Sequence, residues 1–504
     1  MRKNSIIFTT LSLIVAALFI NSPAYAGDIE WSGLYRIEGY RIENSELRSG
    51  GQDALGYGLS HLIMRPKITA GDGITIYGQF DIFNDVTDYP NSQMGQIFGD
   101  GVRNGNTTAP GKTTSAANSN TLSQTQNAES LLVTQLYLTY NQEYGQLIVG
   151  RAPLQFGLGM TYSAGRGLFD HWMDTRDMVG YKIIMGNLSI VPMYGRPSGG
   201  TINNSDNIND YMIQLMYENP ESDLEMGVMY VLRTGGDQAS DAPVYSAGPP
   251  VTNPYGLGGQ GATQTSGMNI KTVSLYALRD SEHLRLGMEA SFQSGDSGVV
   301  DTAGDKVGFS GFGIATELEY RPEGSKWKWG LKSGYASGDD PGTNATYEGF
   351  QFNRNYDVAM LLFNHPLGQA DFLRSGVTTG NVYQLDANGK STGNINVADV
   401  EAISNVIYLA PNIRYVFNDH WSIDQSIITG WLATNPILNV SVPKDLGYEY
   451  DVSLTYSPRK GVAWVNQFGM LFPGQAWTAA TNPDGSQASN GFAFGFGTKA
   501  AISF

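Results

Sequence analysis

The chain ends in thirteen residues, FAFGFGTKAAISF, in which apolar side chains alternate with small or polar ones. A period of two places successive side chains on opposite faces of a β-strand. One face is apolar and consists of Phe492, Phe494, Phe496, Ala500, Ile502 and Phe504, whereas the other carries Gly495, Gly497, Lys499 and Ser503. A strand that touches lipid on one side and water on the other requires this pattern. The segment therefore predicts a membrane-spanning β-strand.

The first 26 residues have the layout of a secretory signal. Arg2 and Lys3 precede an apolar run from Ile6 to Ile20, and Ala24-Tyr25-Ala26 forms a small-x-small cleavage site. The run is about 15 residues long, shorter than the roughly 20 that cross a bilayer as a helix. We therefore predict a signal peptide over 1–26 and a mature chain from Gly27. No comparable apolar run occurs later in the sequence, which argues against a helical membrane protein.

Composition excludes two classes of function. The chain has no cysteine, so it contains no disulfide, thiolate metal site or thiol nucleophile. Its formal charge of −16 argues against nucleic acid as a partner, because phosphate binding needs a basic surface.

Period-two segments separated by turn residues occur eighteen times, and the connections between them alternate between short and long. The short connections have turn chemistry and are 70–73, 141–145, 186–187, 219–223, 279–283, 321–326, 418–420 and 457–460. The longest connections are 85–129, 157–177, 234–267 and 337–404. This alternation predicts an all-β transmembrane antiparallel barrel of about 18 strands over 27–504, with short periplasmic turns and long extracellular loops. A soluble all-β fold is the alternative.

Strand parity assigns charged residues to the lumen of the barrel. The basic ones are Arg36, Arg65, Lys67, Arg151, Lys182, Arg233, Arg285, Lys328, Lys332, Arg414 and Lys499. The acidic ones are Glu38, Asp81, Glu225, Glu289, Glu317, Glu319, Asp424, Glu449 and Asp451. Charges on such a wall can pair across neighbouring strands and stiffen it. The functional alternative is that Arg36, Arg65, Lys67 and Arg151 form a one-sided ladder that attracts anions.

The third long connection, 157–177, holds the densest set of charged side chains. We expect it to fold inward and narrow the channel, because its aromatic residues can pack on the wall and its opposed charges would focus a field. The predicted constriction residues are Arg166, Asp170, His171, Asp174, Arg176 and Asp177. A catalytic role for Ser163, Asp170 and His171 is the weaker alternative, since neighbours in sequence are not a spatial triad.

The seventh long connection contains 347–367, which carries enough aromatic and aliphatic side chains to pack as a folded cap or insert. Two other acidic stretches could bind calcium: they hold Asp339 and Asp340, and Asp296, Asp301 and Asp305. Neither stretch has a defined calcium-loop spacing, so no cofactor or metal site is expected there beyond divalent cations that bridge acidic loops to lipopolysaccharide.

Two resemblances follow from these residues. The terminal aromatic, Phe504, resembles the assembly signal of bacterial outer-membrane barrels, which implies recognition by the barrel-assembly machinery. The run Gly330 to Asp340 (GLKSGYASGDD) and the Val149-Gly150-Arg151 pattern resemble alginate-export-type outer-membrane porins. That resemblance implies a monomeric eighteen-stranded barrel with a basic lining for an anionic polymer, whereas the lining here is nearly balanced in charge.

The sequence therefore predicts a non-enzymatic porin of the bacterial outer membrane, for passive diffusion of small hydrophilic and possibly anionic solutes. A non-conducting structural or surface-binding barrel is the alternative. The expected partners are outer-membrane lipid and lipopolysaccharide, the barrel-assembly machinery and small solutes.

Overall fold

The computed structural model describes most of the barrel wall and two of the long connections. The described residues are 28–45, 47, 49–50, 54–82, 84–85, 95–99, 128–129, 131–196, 208–235, 263–264, 267–300, 306–340, 346–365, 367, 402–435, 441–478 and 489–504. The predicted signal peptide and the parts of the long connections outside these ranges lie outside the described residues.

Eighteen long strands form the wall within the described part of the chain. They are β1 (Asp28–Glu43), β2 (Ala54–Thr69), β3 (Ile74–Ile82), β4 (Leu132–Gln142), β5 (Gly145–Pro153), β6 (Thr175–Met185), β7 (Leu188–Arg196), β8 (Asn209–Asn219), β9 (Leu224–Thr234), β10 (Asn269–Asp280), β11 (Leu284–Val300), β12 (Lys306–Tyr320), β13 (Trp327–Ala336), β14 (Val406–Val416), β15 (Trp421–Leu432), β16 (Asp445–Arg459), β17 (Val462–Pro473) and β18 (Ala493–Ser503). The remaining described elements are short: strands Asn84–Asp85, Gly95–Gly99, Ala128–Glu129, Thr263–Gln264 and Thr346–Tyr347, and a 3-10 turn at Gln475–Thr478.

Each wall strand pairs antiparallel with the next, and β18 pairs with β1, so the sheet is closed. At the closing seam Glu38 of β1 lies opposite Lys499 of β18. The predicted all-β antiparallel barrel of 18 strands is confirmed. Closure leaves no unpaired sheet edge, which is what lipid requires of a spanning sheet.

The two faces of the wall differ as the period of two predicts. On β1 the side chains of Arg36 and Glu38 point inward and are buried, whereas Tyr35 and Ile37 point outward and are about 40% exposed. The same alternation continues through the register of neighbouring strands, because residues directly opposite each other share a face. The outer surface is therefore an apolar belt.

Aromatic side chains border this belt at the end of the barrel that carries the short turns, which we call the turn rim. Outward-facing examples are Trp31, Tyr320, Trp327, Trp329 and Trp464. An apolar belt bounded by an aromatic girdle on a closed antiparallel barrel is the architecture of outer-membrane proteins. The protein is a transmembrane barrel of the bacterial outer membrane. The opposite end of the barrel is called the loop rim.

Among the described residues, no helix is long and apolar enough to cross a membrane.

The chain terminus is built into the seam. The backbone amide of Phe504 donates to the carbonyl of Gly33, and the amide of Gly33 donates to the carbonyl of Phe504. A Cβ atom at Gly33 would lie 2.4 Å from the Phe504 ring. A larger residue at position 33 would therefore require the Phe504 ring and the backbone of β2 at Ile63 to shift.

Two connections fold into the lumen. Loop 3 is residues 154–174, between β5 and β6, and loop 7 is the described segment 346–365 with Leu367, between β13 and β14. Together with inward-facing wall residues they account for the two largest buried apolar clusters.

Candidate pore constriction

Loop 3 is held on one side of the lumen by Glu289 of β11. The two oxygens of this buried carboxylate accept the backbone amides of Met160 at 3.1 Å and Thr161 at 2.9 Å. Backbone groups of a loop inside a barrel have no sheet partner and must find acceptors elsewhere. Glu289, which parity places in the lumen, therefore acts as an anchor for the loop.

The other end of loop 3 is held by β1. His171 Nε2 lies 3.1 Å from both oxygens of Glu38, and Arg36 Nη1 donates to the carbonyl of Leu168 at 3.3 Å. Leu168 and Phe169 pack against an apolar cluster of the wall around the seam. Because β1 and β11 lie on nearly opposite sides of the eighteen-stranded wall, loop 3 crosses the lumen.

Beneath loop 3, Arg36 belongs to a buried chain of side chains. Arg36 Nη2 donates to His61 Nδ1 at 2.9 Å, and His61 Nε2 lies 2.9 Å from Asp81 Oδ1. A guanidinium only donates, so Nδ1 of His61 accepts and its proton is on Nε2, directed at Asp81. The chain fixes the Arg36 side chain at the point where loop 3 meets the wall.

Loop 7 is held by two acids of β16. Glu449 accepts the backbone amides of Leu361 and Leu362, each at 2.7 Å, and Asp451 accepts that of Met360 at 2.9 Å. Apolar side chains of the loop pack against inward-facing residues of the wall, and the cluster includes Phe350, Phe352, Leu361, Leu362, Phe363, Val406, Tyr408 and Leu432. The expectation that 347–367 carries enough apolar side chains to pack agrees with this arrangement.

The two loops meet inside the barrel. Asn355 Oδ1 accepts the backbone amide of Trp172 at 3.0 Å, while its Nδ2 donates to the Trp172 carbonyl at 2.7 Å and to Ser163 Oγ at 3.2 Å. Asn353 Nδ2 donates to Asp174 Oδ2 at 2.7 Å. The Arg354 guanidinium lies 4.5 Å from the centre of the Trp172 ring. Loop 3 and loop 7 therefore form one structure across the lumen.

Burial perturbs two ionisable groups of these loops. It raises the pKa of Asp174 above its usual value, although the nearby charge of Arg176 acts in the opposite direction. It lowers the pKa of His365 to about 3, with further lowering from Lys499 and His171 and a smaller opposing effect from Glu38. His365 Nδ1 lies 3.3 Å from the hydroxyl oxygen of Tyr57. The neutral imidazole is therefore the form that packs.

Of the six predicted constriction residues, four lie in loop 3 and two lie in strand β6. Arg166 is exposed, and Asp170 accepts the amide of Gly167 at 2.7 Å. His171 and Asp174 make the contacts described above. Loop 3 thus brings Arg166, Asp170, His171 and Asp174 into the lumen.

Arg176 faces inward but is buried in a separate cluster. Its Nε donates to Asp210 Oδ2 at 2.9 Å, and Arg233 binds the same carboxylate at 2.8 and 2.9 Å. Asp210 is fully buried between the two guanidiniums. This cluster ties β6, β8 and β9 together at the loop rim, and it adjoins loop 3, because the Arg176 guanidinium lies 5.8 Å from the centre of the Tyr162 ring.

The predicted inward face of Arg151 is wrong, and Asp177, predicted as a constriction residue, lies on the outer face beside it. Arg151 lies opposite Leu136, which is 56% exposed, and opposite Asp177, which shares its face with the half-exposed Val179. Both residues therefore point outward, where Arg151 and Asp177 form an ion pair with Nε–Oδ1 2.7 Å and Nη2–Oδ2 3.0 Å. Within β5 the inward face is carried by Ile148, Gly150 and Ala152, and Arg151 follows Leu147 and Val149 on the lipid side.

Strand register places the other lumenal residues on the inward face. Some of them pair with one another: Arg285 with Glu317 at 3.6 Å and Lys332 with Glu317 at 3.9 Å. Lys67 pairs with Glu30, which was not among the predicted residues, at 2.8 Å. Arg414 also pairs with Asp424. These ion pairs agree with the interpretation that lumenal charges pair across neighbouring strands.

A water-accessible cavity of about 520 Å³ opens in the lumen below loop 7. Residues 357–360 of loop 7 form one side of it, and the wall contributes charges of both signs. The charged wall residues are Arg285, Arg321, Lys332, Arg414, Glu317, Glu319, Asp424 and Asp451.

Parity reasoning missed the partners that join the loops. Asn353 and Asn355 lie in a segment singled out only for its apolar content, and His61 is not among the residues that parity assigned to the lumen. The sequence signal for His61 is its position on β2, where it shares a face with Ile63 and Arg65.

The alternative chemistries find no assembled site in the described residues. Ser163 Oγ accepts from Asn355 and from the amide of Gly165, whereas His171 is directed at Glu38. Asp339 accepts the amide of Glu348 at 2.9 Å, and Asp301 and Asp305 lie outside the described residues. Within the described ranges no group of three His, Asp or Glu side chains is arranged to hold a metal ion.

No protein-family model matches the sequence, and no curated protein matches it. Solved structures with a similar fold are outer-membrane channels. OccK8 (OprE) of Pseudomonas aeruginosa is 12% identical over 95% of this chain and 98% of that chain, with a TM-score of 0.49. A BenF-like porin from Pseudomonas fluorescens Pf-5 is 9% identical over 95% and 98%, with a TM-score of 0.47.

The outer-membrane channel DcaP of Acinetobacter baumannii is 11% identical over 96% of this chain and all of that chain, with a TM-score of 0.41. At these identities and TM-scores the likeness carries no argument about solutes or sites. The resemblance to alginate-export-type porins is not confirmed.

Proposed function

We propose that the barrel is a channel for passive diffusion of small hydrophilic solutes, that loop 3 and loop 7 constrict it, and that it favours anions. The observation that supports this proposal is Arg166. Its side chain is exposed although it lies inside the barrel, near the inward-facing Arg65 and Tyr137. An exposed guanidinium within the lumen implies a water-filled space between loop 3 and the wall formed by β2 to β4.

The charge of this space is positive. Among the described residues Arg166 makes no hydrogen bond or ion pair, and the Nε of Arg65 donates to the neutral amide of Gln79 at 2.8 Å. The Arg65 guanidinium is attracted by the charge of Asp81 and repelled by that of Arg166. Beside a constriction, where the effective dielectric constant is below that of bulk water, such charges act more strongly on a passing ion.

A non-conducting surface-binding barrel is the second candidate. It is favoured by the contact between loop 3 and loop 7 and by the buried apolar cluster that loop 7 forms with the wall. Both features would also belong to a narrow channel.

Planar-bilayer recordings of the purified protein separate the two candidates. A channel gives discrete conductance steps, and their absence would support the non-conducting barrel. In a salt gradient, Arg166→Gln should move the zero-current potential toward cations at about 0.1 M salt, and the shift should shrink at about 1 M because the screening length falls from about 10 to about 3 Å.

The matched control is Arg279→Gln. Arg279 is an exposed arginine on the outward face of β10 near the turn rim. Its substitution therefore changes the net charge of the protein as much as Arg166→Gln does, without changing the lumen. If both the wild type and Arg166→Gln conduct with the same zero-current potential, the proposal of a channel stands and the proposed preference for anions is wrong.

A further inference from the structure

The loop rim carries a polar group on the lipid side of the barrel, where the apolar belt ends. Across three adjacent strands, Arg151 of β5 lies opposite Asp177 of β6, and Asp177 lies opposite Arg196 of β7. Asn209 of β8 continues the row through a hydrogen bond from Arg196 Nε at 3.0 Å. We call Arg151, Asp177, Arg196 and Asn209 the rim patch.

The rim patch has unused donors. Arg151 gives Nε and Nη2 to Asp177, and Arg196 gives Nε to Asn209, so within the described residues Nη1 of Arg151 and both terminal nitrogens of Arg196 bind no acceptor. Two guanidiniums against one carboxylate leave a net charge of +1. The side chains of Arg151 and Asp177 are 49% and 41% exposed.

Apolar and aromatic side chains lie directly on the belt side of the patch. Val179 follows Asp177 on the outward face of β6, and Tyr194 precedes Arg196 on that of β7. The Tyr194 ring packs on Tyr211 at 5.2 Å, and its hydroxyl donates to Asn209 at 2.7 Å. Acyl chains can therefore contact the belt while a head group lies at the height of the arginines.

We infer that the rim patch binds a phosphate group of lipopolysaccharide in the outer leaflet of the membrane. A guanidinium matches a phosphate with two parallel hydrogen bonds, and the donors here face the head-group layer next to an acyl-chain surface. A charged side chain at the edge of the belt destabilises the barrel much less than one at the centre of the belt. The inference rests on the predicted orientation, with the loop rim outward, and does not depend on whether the barrel conducts.

The test uses the full-length protein, folded in detergent, and measures lipid binding by native mass spectrometry. The probes are bisphosphorylated lipid A, dephosphorylated lipid A and inorganic phosphate. We expect bisphosphorylated lipid A to bind the wild type, and the double variant Arg151→Ala/Arg196→Ala to bind it about tenfold more weakly, since charge-assisted hydrogen bonds are lost. Inorganic phosphate and dephosphorylated lipid A should bind much more weakly than the bisphosphorylated form.

Two control variants separate binding from wall stability. Arg279→Ala removes an outward-facing arginine near the turn rim and should leave lipid A binding unchanged. Asp177→Asn breaks the ion pair with Arg151 but removes a carboxylate that competes with phosphate, so it should bind lipid A at least as tightly as the wild type. If the ion pair only stabilised the wall, Asp177→Asn would weaken lipid A binding as the double variant does.

Equal binding by the wild type and the double variant would overturn the inference, as would equal binding of phosphorylated and dephosphorylated lipid A. Inorganic phosphate binding as tightly as lipid A would assign the patch to free anions instead. Should the double variant fail to fold, Asp177→Asn and the single Arg196→Gln decide, because tighter or equal binding by the first and weaker binding by the second are both required.

Discussion

The contact between loop 3 and loop 7 predicts a measurable gate. Asn355→Leu keeps the volume of the side chain near that of asparagine but removes the three hydrogen bonds that Asn355 makes to Trp172 and Ser163. A typical protein hydrogen bond contributes about 0.5–1.5 kcal/mol net, so three contribute about 3 kcal/mol. That free energy corresponds to a change of about 150-fold in the ratio of joined to separated loops.

Single-channel recording measures this ratio. We expect Asn355→Leu to show more frequent transitions to a higher conductance, because separated loops leave a wider path. Loop 3 remains attached to Glu289 and loop 7 to Glu449, so the barrel itself should keep its heat-modifiable mobility on gels.

Asn364→Leu is the matched control. Asn364 lies in the same loop, and within the described part of the chain its side chain donates only to the carbonyl of Ala359 in that loop, at 3.4 Å. Its recordings should match those of the wild type. If Asn355→Leu and Asn364→Leu both retain wild-type conductance and noise, the bonds between the loops do not control the opening.

Three further predictions follow from the same contacts. Burial lowers the pKa of His365 to about 3, so the packing of loop 7 is fully stable above about pH 6.5 and weakens as the pH falls toward 3. At pH 5 the loss of stability is about 2 kcal/mol. This loss should appear as channel noise, and His365→Phe should abolish the noise. Arg176→Ala leaves the buried Asp210 with Arg233 alone and should lower barrel stability by about 3 kcal/mol, measured by the temperature of the gel-mobility shift, with little change in ion selectivity. Deletion of Phe504 should cause periplasmic accumulation of unfolded protein, whereas Phe417→Ala, at an exposed aromatic next to a turn, should not; equal amounts of folded barrel for both would contradict the assembly role of Phe504.

The wall could be predicted from the sequence because lipid and water impose opposite demands on alternate residues. The outward face of β11 follows from its alternating apolar residues, which begin with Leu284, Leu286 and Met288. The turn-forming residues of 70–73 determine where β2 ends. In that turn Gly71 and Gly73 adopt φ of 76° and 80°, the left-handed region that favours glycine. Local rules of this kind need no knowledge of distant contacts.

The faces of strand ends could not be predicted as reliably. Arg151 is charged and was assigned to water inside the barrel, but the edge of the belt also meets water and head groups. The decisive information is that Arg151 shares a face with Val149, and it was outweighed by the charge of the side chain. Beyond the apolar belt, polarity no longer distinguishes the inside of a barrel from the outside.

The partners of the loops were beyond sequence reasoning for a different reason. Glu289 and Glu449 face the lumen as parity requires. Their carboxylate oxygens, however, accept pairs of consecutive loop amides that lie 128 and 87 residues away in the chain. A backbone amide carries no sequence signal. Only the fold of the loop decides which amides need an acceptor.

Because several lumenal carboxylates bind the loops, the charge that a solute encounters in the lumen differs from the total charge of the wall. Of the nine acids that parity places in the lumen, Glu289, Glu449 and Asp451 hold loop backbone, and Glu38 and Asp81 are buried against His171 and His61. Four of these five carboxylates, all except Asp451, lie outside the lining of the cavity below loop 7. Arg65 and Arg166, by contrast, make no hydrogen bond or ion pair to a carboxylate within the described ranges, although the charge of Asp81 acts on Arg65. A count of lumenal charges gives a nearly balanced wall, yet the accessible part of the wall beside loop 3 is basic, which is the physical reason to expect a preference for anions.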